Sequence, residues 1–282
     1  MRHDEGSFEG ERGLNIYWQC WLPDAGLPYE GPRAVLLVAH GYAEHSGRYA
    51  NLVDYFVPKG FAIYALDHRG HGKSDGNRVE ILEYDDYLRD LKTFYDIVRT
   101  KQSEPLFLVG HSMGGSIAIA YAIKHQAELD GLVVSGSGIQ LPGRPPVSRP
   151  ANLELADTLS RDPQVAEDYR NDPLVYLGPR PQTTLDAMKG IPERTAEGAK
   201  TLTLPLLVMV GDASPLGEAP RGQDLHDTVA STVKRIHHYP ELLHEIFNEP
   251  EHREVMVDME RWLDERLADR STELRCARLR RS

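Results

Sequence analysis

The sequence predicts a doubly wound α/β fold around a mostly parallel central sheet, and two observations lead to this prediction. Short apolar runs recur along the chain and end in Gly, Ser or Asp, as strands buried on both faces of a parallel sheet commonly do. Longer segments with helical periodicity separate these runs, and this alternation is typical of α/β proteins. With 282 residues, of which 40% are hydrophobic, the chain is long enough for one sizeable core and a modest insertion.

The predicted elements follow one another in a regular order. The predicted strands are 34–41, 61–67, 106–112, 131–137 and 206–212, with a last strand in the segment KRIHHYP. The predicted helices between and after these strands include 84–100, 113–125 and 249–267. In the first of these helices, Tyr87, Leu91 and Phe94 share one face at helical spacing. Because sites in open parallel sheets form beyond the carboxyl ends of the strands, the chemically active residues are expected there.

Residues 140–201 interrupt this alternation and are predicted to form a short helical cap. The segment opens with QLPGRPPVSRP, which is too rich in proline for a strand or a helix. Short helical patterns follow at 151–160, 163–170, 182–188 and 192–202. We interpret the segment as an insertion into a core formed by 1–139 and 202–282, because long excursions in compact domains are usually functional. A surface excursion without function is the alternative.

The composition excludes some classes of function. The net charge of −11 argues against a nucleic-acid partner, which would require a basic face. The chain contains no apolar run long enough to span a membrane, and its start lacks the apolar region of a signal peptide. Cys20 and Cys276 lie far apart and provide no disulfide framework, which suits a reducing compartment. A cytoplasmic protein is therefore expected.

The segment GHSMG at 110–114 matches the G-x-S-x-G nucleophile elbow and makes Ser112 the candidate nucleophile. It directly follows a predicted strand and directly precedes a predicted helix, as the motif requires. The strained turn lifts the serine clear of the sheet, and the glycines are needed because neighbouring backbone leaves no room for a Cβ atom. The helix that follows points its first amides at the developing oxyanion.

A serine nucleophile needs a base, and histidine has a pKa suited to this role near neutral pH. In enzymes with this elbow the base follows the acid late in the chain. His237 and His238 fall in the predicted last strand, whereas His226 and His252 fall in predicted helices. His244 lies in the loop beyond the last strand, where it could reach the carboxyl edge of the sheet. We therefore predict His244 as the base.

Two backbone N–H groups are expected to form the oxyanion hole. One belongs to Met113, the residue after the nucleophile, and the other to the loop after an earlier strand. His40 and Gly41 end the strand at 34–41, which makes the Tyr42 N–H the second candidate. A turn that only terminates the strand is the alternative interpretation of this segment.

The third member of the triad is expected from the order of the chain. It should be a carboxylate in the loop after the strand at 206–212, where it would orient the imidazole and stabilise the imidazolium. The loop reads GDASPLGE, so Asp212 is its only aspartate and Glu218 is the other nearby carboxylate. Asp212 is the predicted acid, with Glu218 as the alternative.

Several stretches together resemble one known family. They are HGYAEHSGRY at 40–49, DHRGHGKSDG at 67–76, GHSMGG at 110–115, LSRDPQVAEDYRNDPLV at 159–175 and HEIFNEP at 244–250. The chain is similar, from about residue 16 to residue 267, to the monoacylglycerol lipase and lysophospholipase group of α/β-hydrolases, which are serine aminopeptidase S33-like hydrolases. The resemblance implies the α/β-hydrolase fold, hydrolysis of single-chain carboxylic esters, and neither cofactor nor metal.

The resemblance also implies roles for individual residues. Ser112 and His244 match the nucleophile and the base, and Tyr42 and Met113 match the oxyanion amides. The cap of the family is an amphipathic lid that admits one acyl chain, which would favour contact with micelles or a membrane surface.

Two further residues, Glu44 and Arg48, match positions near the glycerol end of the family's pocket. The resemblance therefore implies a substrate-binding role for both. A structural ion pair between them is the alternative.

The sequence departs from the family pattern in two places. The family loop usually reads G-x-x-D, which places the catalytic aspartate where this chain has Ser214. A serine cannot supply the charge that holds an imidazolium, so either Asp212 or Glu218 reaches His244 through a shifted loop or the triad is incomplete. The early part of the cap is also short, which would leave the pocket more open.

These observations leave a leading hypothesis and alternatives. The leading hypothesis is a serine hydrolase that cleaves monoacylglycerols or similar esters through an acyl-enzyme on Ser112. The displaced acid motivates the main alternative, a weakly active or non-catalytic binding protein on a hydrolase scaffold. Peptidase or acyltransferase activity on the same fold is a further alternative.

Overall fold

A computed structural model describes residues 1–24, 31–144 and 154–279, with side chains described as far as residue 272. Its centre is an eight-stranded sheet with the strand order β1-β2-β4-β3-β5-β6-β7-β8. The strands are β1 Arg2–Glu9, β2 Asn15–Leu22, β3 Ala34–Ala39, β4 Phe61–Leu66, β5 Leu106–His111, β6 Gly131–Ser135, β7 Leu206–Gly211 and β8 Lys234–Tyr239. β1 and β2 pair antiparallel with their neighbours, and all the pairings from β4 to β8 are parallel.

Helices cover both faces of the sheet. They are α1 Ala50–Phe56, α2 Asp85–Lys101, α3 Met113–His125, α4 Pro163–Asn171, α5 Gln182–Ala187, α6 Ile191–Ala199, α7 Glu218–Thr228 and α8 His252–Leu279. On one face α1 and α8 pack against the sheet, with the buried Trp262 among their contacts. On the other face α2, α3, α6 and α7 form the larger apolar cluster. The doubly wound fold predicted from the sequence is confirmed.

The five strands predicted from apolar runs and the predicted last strand are all present. Every residue of β3 to β7 is buried, which explains why these strands appear in the sequence as continuous hydrophobic runs. The sequence reasoning did not identify the hairpin formed by β1 and β2. β1 is almost entirely exposed at the edge of the sheet and carries the polar sequence RHDEGSFE, so it lacks the apolar signal that buried strands give.

The segment between β6 and β7 contains three of the helices and a short 3₁₀ helix at Ala156–Thr158. Residues 151–153 of the helix predicted at 151–160 lie outside the described residues, as does most of the proline-rich opening. α4 packs with the 3₁₀ helix in a small cluster of its own, whereas α6 packs against α3 on the sheet. The division into a core and a cap at 140–201 stays a prediction.

The segment between β6 and β7 contacts the loop that follows β3. The His45 ring donates from Nε2 to Asp172, 2.8 Å away, because its Nδ1 accepts the Gly47 N–H. The Tyr176 N–H donates to the Ala43 carbonyl at 2.9 Å. These bonds hold the inserted segment over the carboxyl ends of the strands. No helix in the described part of the chain is both long and apolar enough to span a membrane.

Candidate active site

Ser112 lies in the turn between β5 and α3 with a strained backbone. Its φ of 53° and ψ of −117° are unusual for a residue other than glycine. A Cβ atom on Gly114 would lie 2.0 Å from the Ala39 carbonyl oxygen, and one on Gly110 would lie 2.5 Å from the Gly114 carbonyl oxygen. Both positions therefore require glycine, since β3, β5 and α3 approach too closely for a side chain. This is the geometry that the elbow motif predicts.

His244 lies beside Ser112, in the loop that follows β8. Its Nε2 is 2.8 Å from Ser112 Oγ, and its Nδ1 is 2.7 Å from Glu218 Oε1. A carboxylate only accepts hydrogen bonds, so Nδ1 carries the proton and Nε2 accepts from the serine hydroxyl. The structure thus brings Ser112, His244 and Glu218 into one hydrogen-bonded chain.

The expected contact between Asp212 and His244 is not formed, and this prediction is corrected. Asp212 directly follows β7 and is exposed, and its carboxylate accepts a hydrogen bond from Nδ1 of His238 at 2.7 Å. His238 lies on β8, beside the end of β7. Because β7 and β8 are parallel neighbours in the sheet, the side chains of Asp212 and His238 meet at the surface. The carboxylate that contacts His244 instead comes from Glu218, further along the chain.

Glu218 is suited to the role by its position at the first residue of α7. Gly217, with a φ of 67°, makes the left-handed turn that begins this helix. Burial alone would raise the pKa of the Glu218 carboxyl, but the hydrogen bond with His244 and a backbone N–H lower it below its ordinary value. The helix N-terminus also favours a negative charge. Glu218 is therefore ionised where it contacts the imidazole.

The loop after β3 brings the Tyr42 N–H close to the serine. A Cβ atom on the neighbouring Gly41 would lie 3.3 Å from Ser112 Cβ. Within the described residues, neither the Tyr42 N–H nor the Met113 N–H donates a backbone hydrogen bond. Two free donors near the nucleophile are what an oxyanion hole requires. The oxyanion role of both amides stays a prediction.

His40 supports this loop as a neutral imidazole. Its Nδ1 donates to the Gly41 carbonyl at 2.7 Å, and its Nε2 accepts the His68 N–H at 2.8 Å. Protonation of Nε2 would break the second bond. Burial lowers the pKa of His40 to about 4, which keeps the ring neutral near neutral pH.

Glu44 and Arg48 belong to a buried ion network behind the same loop. Glu44 accepts hydrogen bonds from the Gly41 N–H at 2.6 Å and from the Tyr49 hydroxyl at 2.9 Å. Arg48 donates to Glu44 at 3.1 Å and forms two bonds with Glu245, of 2.6 and 2.9 Å. Neither Glu44 nor Arg48 lines the cavity at Ser112. This geometry favours the structural ion pair over contact with substrate.

Ser112 and His244 face a cavity of about 210 Å³. Its other lining residues are Tyr42, Ile81, Tyr84, Tyr87, Met113, Ser116, Gly136, Ser137, Arg180, Thr184, Met188, Leu216 and Arg221. A wider groove of about 820 Å³ adjoins it under the inserted segment and shares Tyr42 and Arg180 with it. The combination can hold an ester at the serine with a chain extending outward.

Some residues of this cavity were not identified from the sequence. Arg221 follows Glu218 by three positions, one helical turn, so the assignment of Glu218 as the acid would have placed it near the site. Tyr84 and Arg180 come from segments distant in sequence and carry no motif. Only the folded chain brings them to Ser112.

Residues 30–251 match the family model described as "Serine aminopeptidase, S33". The chain is 36% identical over 274 residues to the monoacylglycerol lipase of Mycolicibacterium smegmatis, a match that covers 92% of this chain and 96% of that protein. It is 27% identical to the monoglyceride lipase of Homo sapiens, covering 92% of this chain and 90% of that protein.

Solved structures agree with these sequence matches. The monoacylglycerol lipase of Paleococcus ferrophilus superposes with a TM-score of 0.74 at 26% identity, covering 89% of this chain and 99% of that chain. A carboxyl esterase from Bacillus coagulans gives a TM-score of 0.78 at 24% identity, covering 95% and 99% of the two chains. The second likeness supports the fold alone.

Proposed function

The chain belongs to the serine aminopeptidase S33 family, and from that premise we propose that it is a carboxylic ester hydrolase acting on monoacylglycerols or similar esters with one acyl chain. The observation that carries this proposal is the hydrogen-bonded chain from Ser112 through His244 to Glu218 at a nucleophile elbow. The similarity to monoacylglycerol lipases over nine-tenths of the chain supports the substrate class.

The first half of the proposed reaction forms an acyl-enzyme. Ser112 Oγ attacks the ester carbonyl carbon while its proton moves to His244 Nε2, and Glu218 stabilises the imidazolium. The Tyr42 and Met113 N–H groups receive the oxyanion. The carbon–oxygen bond to the alcohol then breaks, and the alcohol leaves with the proton that His244 returns.

The second half releases the acid. A water molecule gives a proton to His244 Nε2 and attacks the acyl carbon, and the same two amides stabilise the second oxyanion. The bond to Ser112 Oγ breaks, the serine recovers its proton from His244, and the carboxylic acid departs. The cycle needs no group beyond these residues and water.

The contact of Glu218 with His244 removes the reason for the alternative hypothesis of a non-catalytic binding protein. That hypothesis rested on Ser214 standing where the family has an aspartate, which left the imidazole without a charged partner. Glu218 supplies such a partner from four residues further along the chain. Ser214 instead accepts the Leu216 N–H within the loop, at 3.3 Å.

Hydrolysis of a chain-length series of p-nitrophenyl esters and 1-monoacylglycerols tests the proposal. We expect turnover by the wild-type protein, stoichiometric labelling of Ser112 by a fluorophosphonate, and loss of both in Ser112→Ala. Wild-type rates no higher than those of Ser112→Ala on every ester would contradict it. Labelling without turnover of any ester would support the binding-protein alternative instead.

A location in the cytoplasm, with transient contact with micelles or a membrane surface, forms part of the proposal. The buried Cys20 is a free thiol, which suits a reducing compartment. Leu177 and Leu185 line the outer groove and are 62% and 42% exposed. Exposed apolar side chains at the mouth of a groove are suited to contact with a lipid surface.

A further inference from the structure

Two arginines line the cavity at Ser112, and no carboxylate lines it. The charge of this lining is opposite in sign to the net charge of the chain, which is −11. Within the described residues, neither Arg180 nor Arg221 forms a salt bridge, and no other Arg, Lys, Asp or Glu lines the cavity. The positive lining is therefore a local property of the site.

Arg221 is held in place but keeps donors free. It lies half-buried on α7, and its Nε and Nη2 donate to the carbonyls of Gly217 and Leu216 at 3.2 and 2.9 Å. Its Nη1 has no acceptor among the described residues. Burial lowers the pKa of this guanidinium, and the nearby charge of Glu218 opposes that effect. Because an arginine keeps its proton in proteins, a desolvated positive charge remains here.

Arg180 lines both the cavity and the outer groove. Its guanidinium stacks over the Tyr42 ring with 4.2 Å to the ring centre. It forms no hydrogen bond with any described residue, and its side chain is exposed. Stacking orients the guanidinium plane but leaves its five N–H donors available.

Two tyrosine hydroxyls add further unused polar groups. The hydroxyls of Tyr42 and Tyr84 are buried without a hydrogen-bond partner in the described structure, and both residues line the cavity. Tyr84 as a whole is only 4% exposed. Buried polar groups are normally satisfied, so unpaired hydroxyls beside the free guanidinium of Arg180 and the free Nη1 of Arg221 indicate a polar ligand.

We propose that this cavity is an anion subsite, so that the preferred substrates are carboxylic esters whose alcohol half carries a phosphate or a carboxylate. The proposal rests on the ester hydrolase function above and names its substrate more closely. Guanidinium groups bind both anions through paired N–H bonds. Arg221 provides the inner contact and Arg180 the outer one.

The position of Arg221 assigns the anion to the alcohol half of the ester. Arg221 lies one helical turn from Glu218, which holds His244, and Ser137 and Gly136 line the cavity beside it. A Cβ atom on Gly136 would lie 3.1 Å from His244 Cε1, so this wall adjoins the imidazole. His244 protonates the departing alcohol, and the alcohol therefore lies on the side of Arg221.

Three matched hexanoyl esters test the proposal, those of glycerol, glycerol 3-phosphate and glyceric acid. For the wild-type protein we expect kcat/KM to be at least about 10-fold higher for an anionic ester than for hexanoylglycerol, because hydrogen bonds between charged groups are stronger than those between neutral ones. Arg221→Gln and Arg180→Gln should each lower the ratio of anionic to neutral kcat/KM about 10-fold or more, mainly through KM. A preference for both anions supports a general anion subsite, and a preference for one identifies the anion.

Arg194→Gln is the matched control variant. Arg194 is exposed, pairs with Asp85 and lines neither the cavity nor the outer groove, so its loss should leave the ratio unchanged. Equal kcat/KM for neutral and anionic esters in the wild-type protein would overturn the proposal. The same holds for a preference that persists in both Arg221→Gln and Arg180→Gln.

Binding measured by calorimetry separates this proposal from the ester hydrolase function. In Ser112→Ala we expect hexanoylglycerol 3-phosphate to bind at least about 10-fold more tightly than hexanoylglycerol, and Arg221→Gln in that background to remove the difference. Tight anion binding without hydrolysis in the wild type would support the subsite and contradict the hydrolase. Hydrolysis with equal binding of the two ligands would leave the hydrolase standing and overturn the subsite.

Discussion

At the residue scale, the path of the chain after β7 determines which carboxylate contacts His244. Asp212 follows the strand directly and turns outward to His238, whereas Glu218 begins α7 and turns inward to His244. The resemblance to the family implied an aspartate at the place of Ser214, and here a glutamate four residues later contacts the imidazole.

Substitution of the two carboxylates tests this assignment. Glu218→Gln should lower kcat by about 10²- to 10⁴-fold, because an uncharged partner stabilises the imidazolium poorly and fails to hold its tautomer. Asp212→Asn should change kcat little, since its exposed pair with His238 contributes at most about 1 kcal/mol to stability. Steady-state kinetics on a p-nitrophenyl ester measures both. A larger loss in Asp212→Asn than in Glu218→Gln would show the assignment to be wrong.

The ion network behind the Tyr42 loop supports a second prediction at this scale. Glu245 is buried, and burial would raise its pKa, but Arg48 outweighs that effect and keeps the carboxyl ionised. Arg48→Met would leave Glu44 and Glu245 as buried charges without their partner. We expect it to lower the free energy of unfolding by about 3–5 kcal/mol.

Denaturation by urea measures this loss of stability. Arg170→Met is the control, because Arg170 pairs with Glu154 and Asp157 on the exposed surface, and such pairs contribute about 0–1 kcal/mol. Equal midpoints for Arg48→Met and Arg170→Met would contradict a structural role of the buried network.

At the scale of the elements, the segment between β6 and β7 forms the entrance to the site. α4 and the preceding 3₁₀ helix pack with each other more than with the sheet. Two hydrogen bonds to the loop after β3 and the stacking of Arg48 on Tyr169, at 4.7 Å, join the segment to the core. The loop of the base is joined to it as well, because the N–H groups of His244 and Glu245 donate to carbonyls of the segment at 3.3 and 2.6 Å. The outer groove thus lies between this segment and the carboxyl edge of the sheet.

The exposed leucines of this element give a prediction about lipid surfaces. A Leu177→Ser, Leu185→Ser double variant removes apolar contact at the mouth of the groove, which is worth roughly 1 kcal/mol or more for each side chain. We expect binding to phospholipid vesicles to weaken by at least about 10-fold, while hydrolysis of a soluble butyrate ester continues. Co-sedimentation with vesicles measures the first quantity and a colorimetric assay the second.

Leu82 provides a matched control for this experiment. It is also exposed, at 59%, but it does not line the outer groove. Vesicle binding that falls as much in Leu82→Ser as in the double variant would argue against a specific lipid-contact face.

At the scale of the whole molecule, the fold buries several histidines in neutral form. Burial lowers the pKa of His40 and of His111 to about 4 and that of His71 to about 3. It also holds the pKa of His68 well below the ordinary value. His40 lies in the Tyr42 loop and His111 lies in the elbow, so protonation of these rings would disturb the packing around both.

The sign of this dependence follows from linkage. Unfolded histidine takes up a proton below about pH 6.5, whereas the buried rings stay neutral until a lower pH. Their contribution to stability is complete above about pH 6.5 and is lost progressively as the pH falls from there to the pKa values of the folded state. We expect the free energy of unfolding to be at least about 2 kcal/mol lower at pH 5 than at pH 7.5.

Urea titrations at both pH values measure the change. The exposed His3→Asn variant should keep the same dependence, since its ring is not part of the buried group. A free energy of unfolding that stays constant from pH 7.5 to pH 5 would contradict the neutral buried histidines.

Much of the fold could be predicted from the sequence because the signals are local. Buried parallel strands are apolar along their whole length, and the elbow requires glycines at fixed spacing around the serine. Chain order and loop position were enough to select His244. The β1–β2 hairpin was not predicted, because an exposed edge strand such as Arg2–Glu9 has no apolar run.

The sequence by itself therefore determined the parallel strands of the sheet, the elbow and the pairing of Ser112 with His244, since each depends on residue types within one short segment or on chain order. Tertiary structure alone decided that Glu218 contacts the imidazole, that Glu44 and Arg48 form a buried network, and that Arg180 and Arg221 face the same cavity. Within this network, Arg48 and Glu245 lie 197 residues apart in the sequence. The geometry of these contacts depends on how loops and helices pack, and no local pattern of residues specifies that packing.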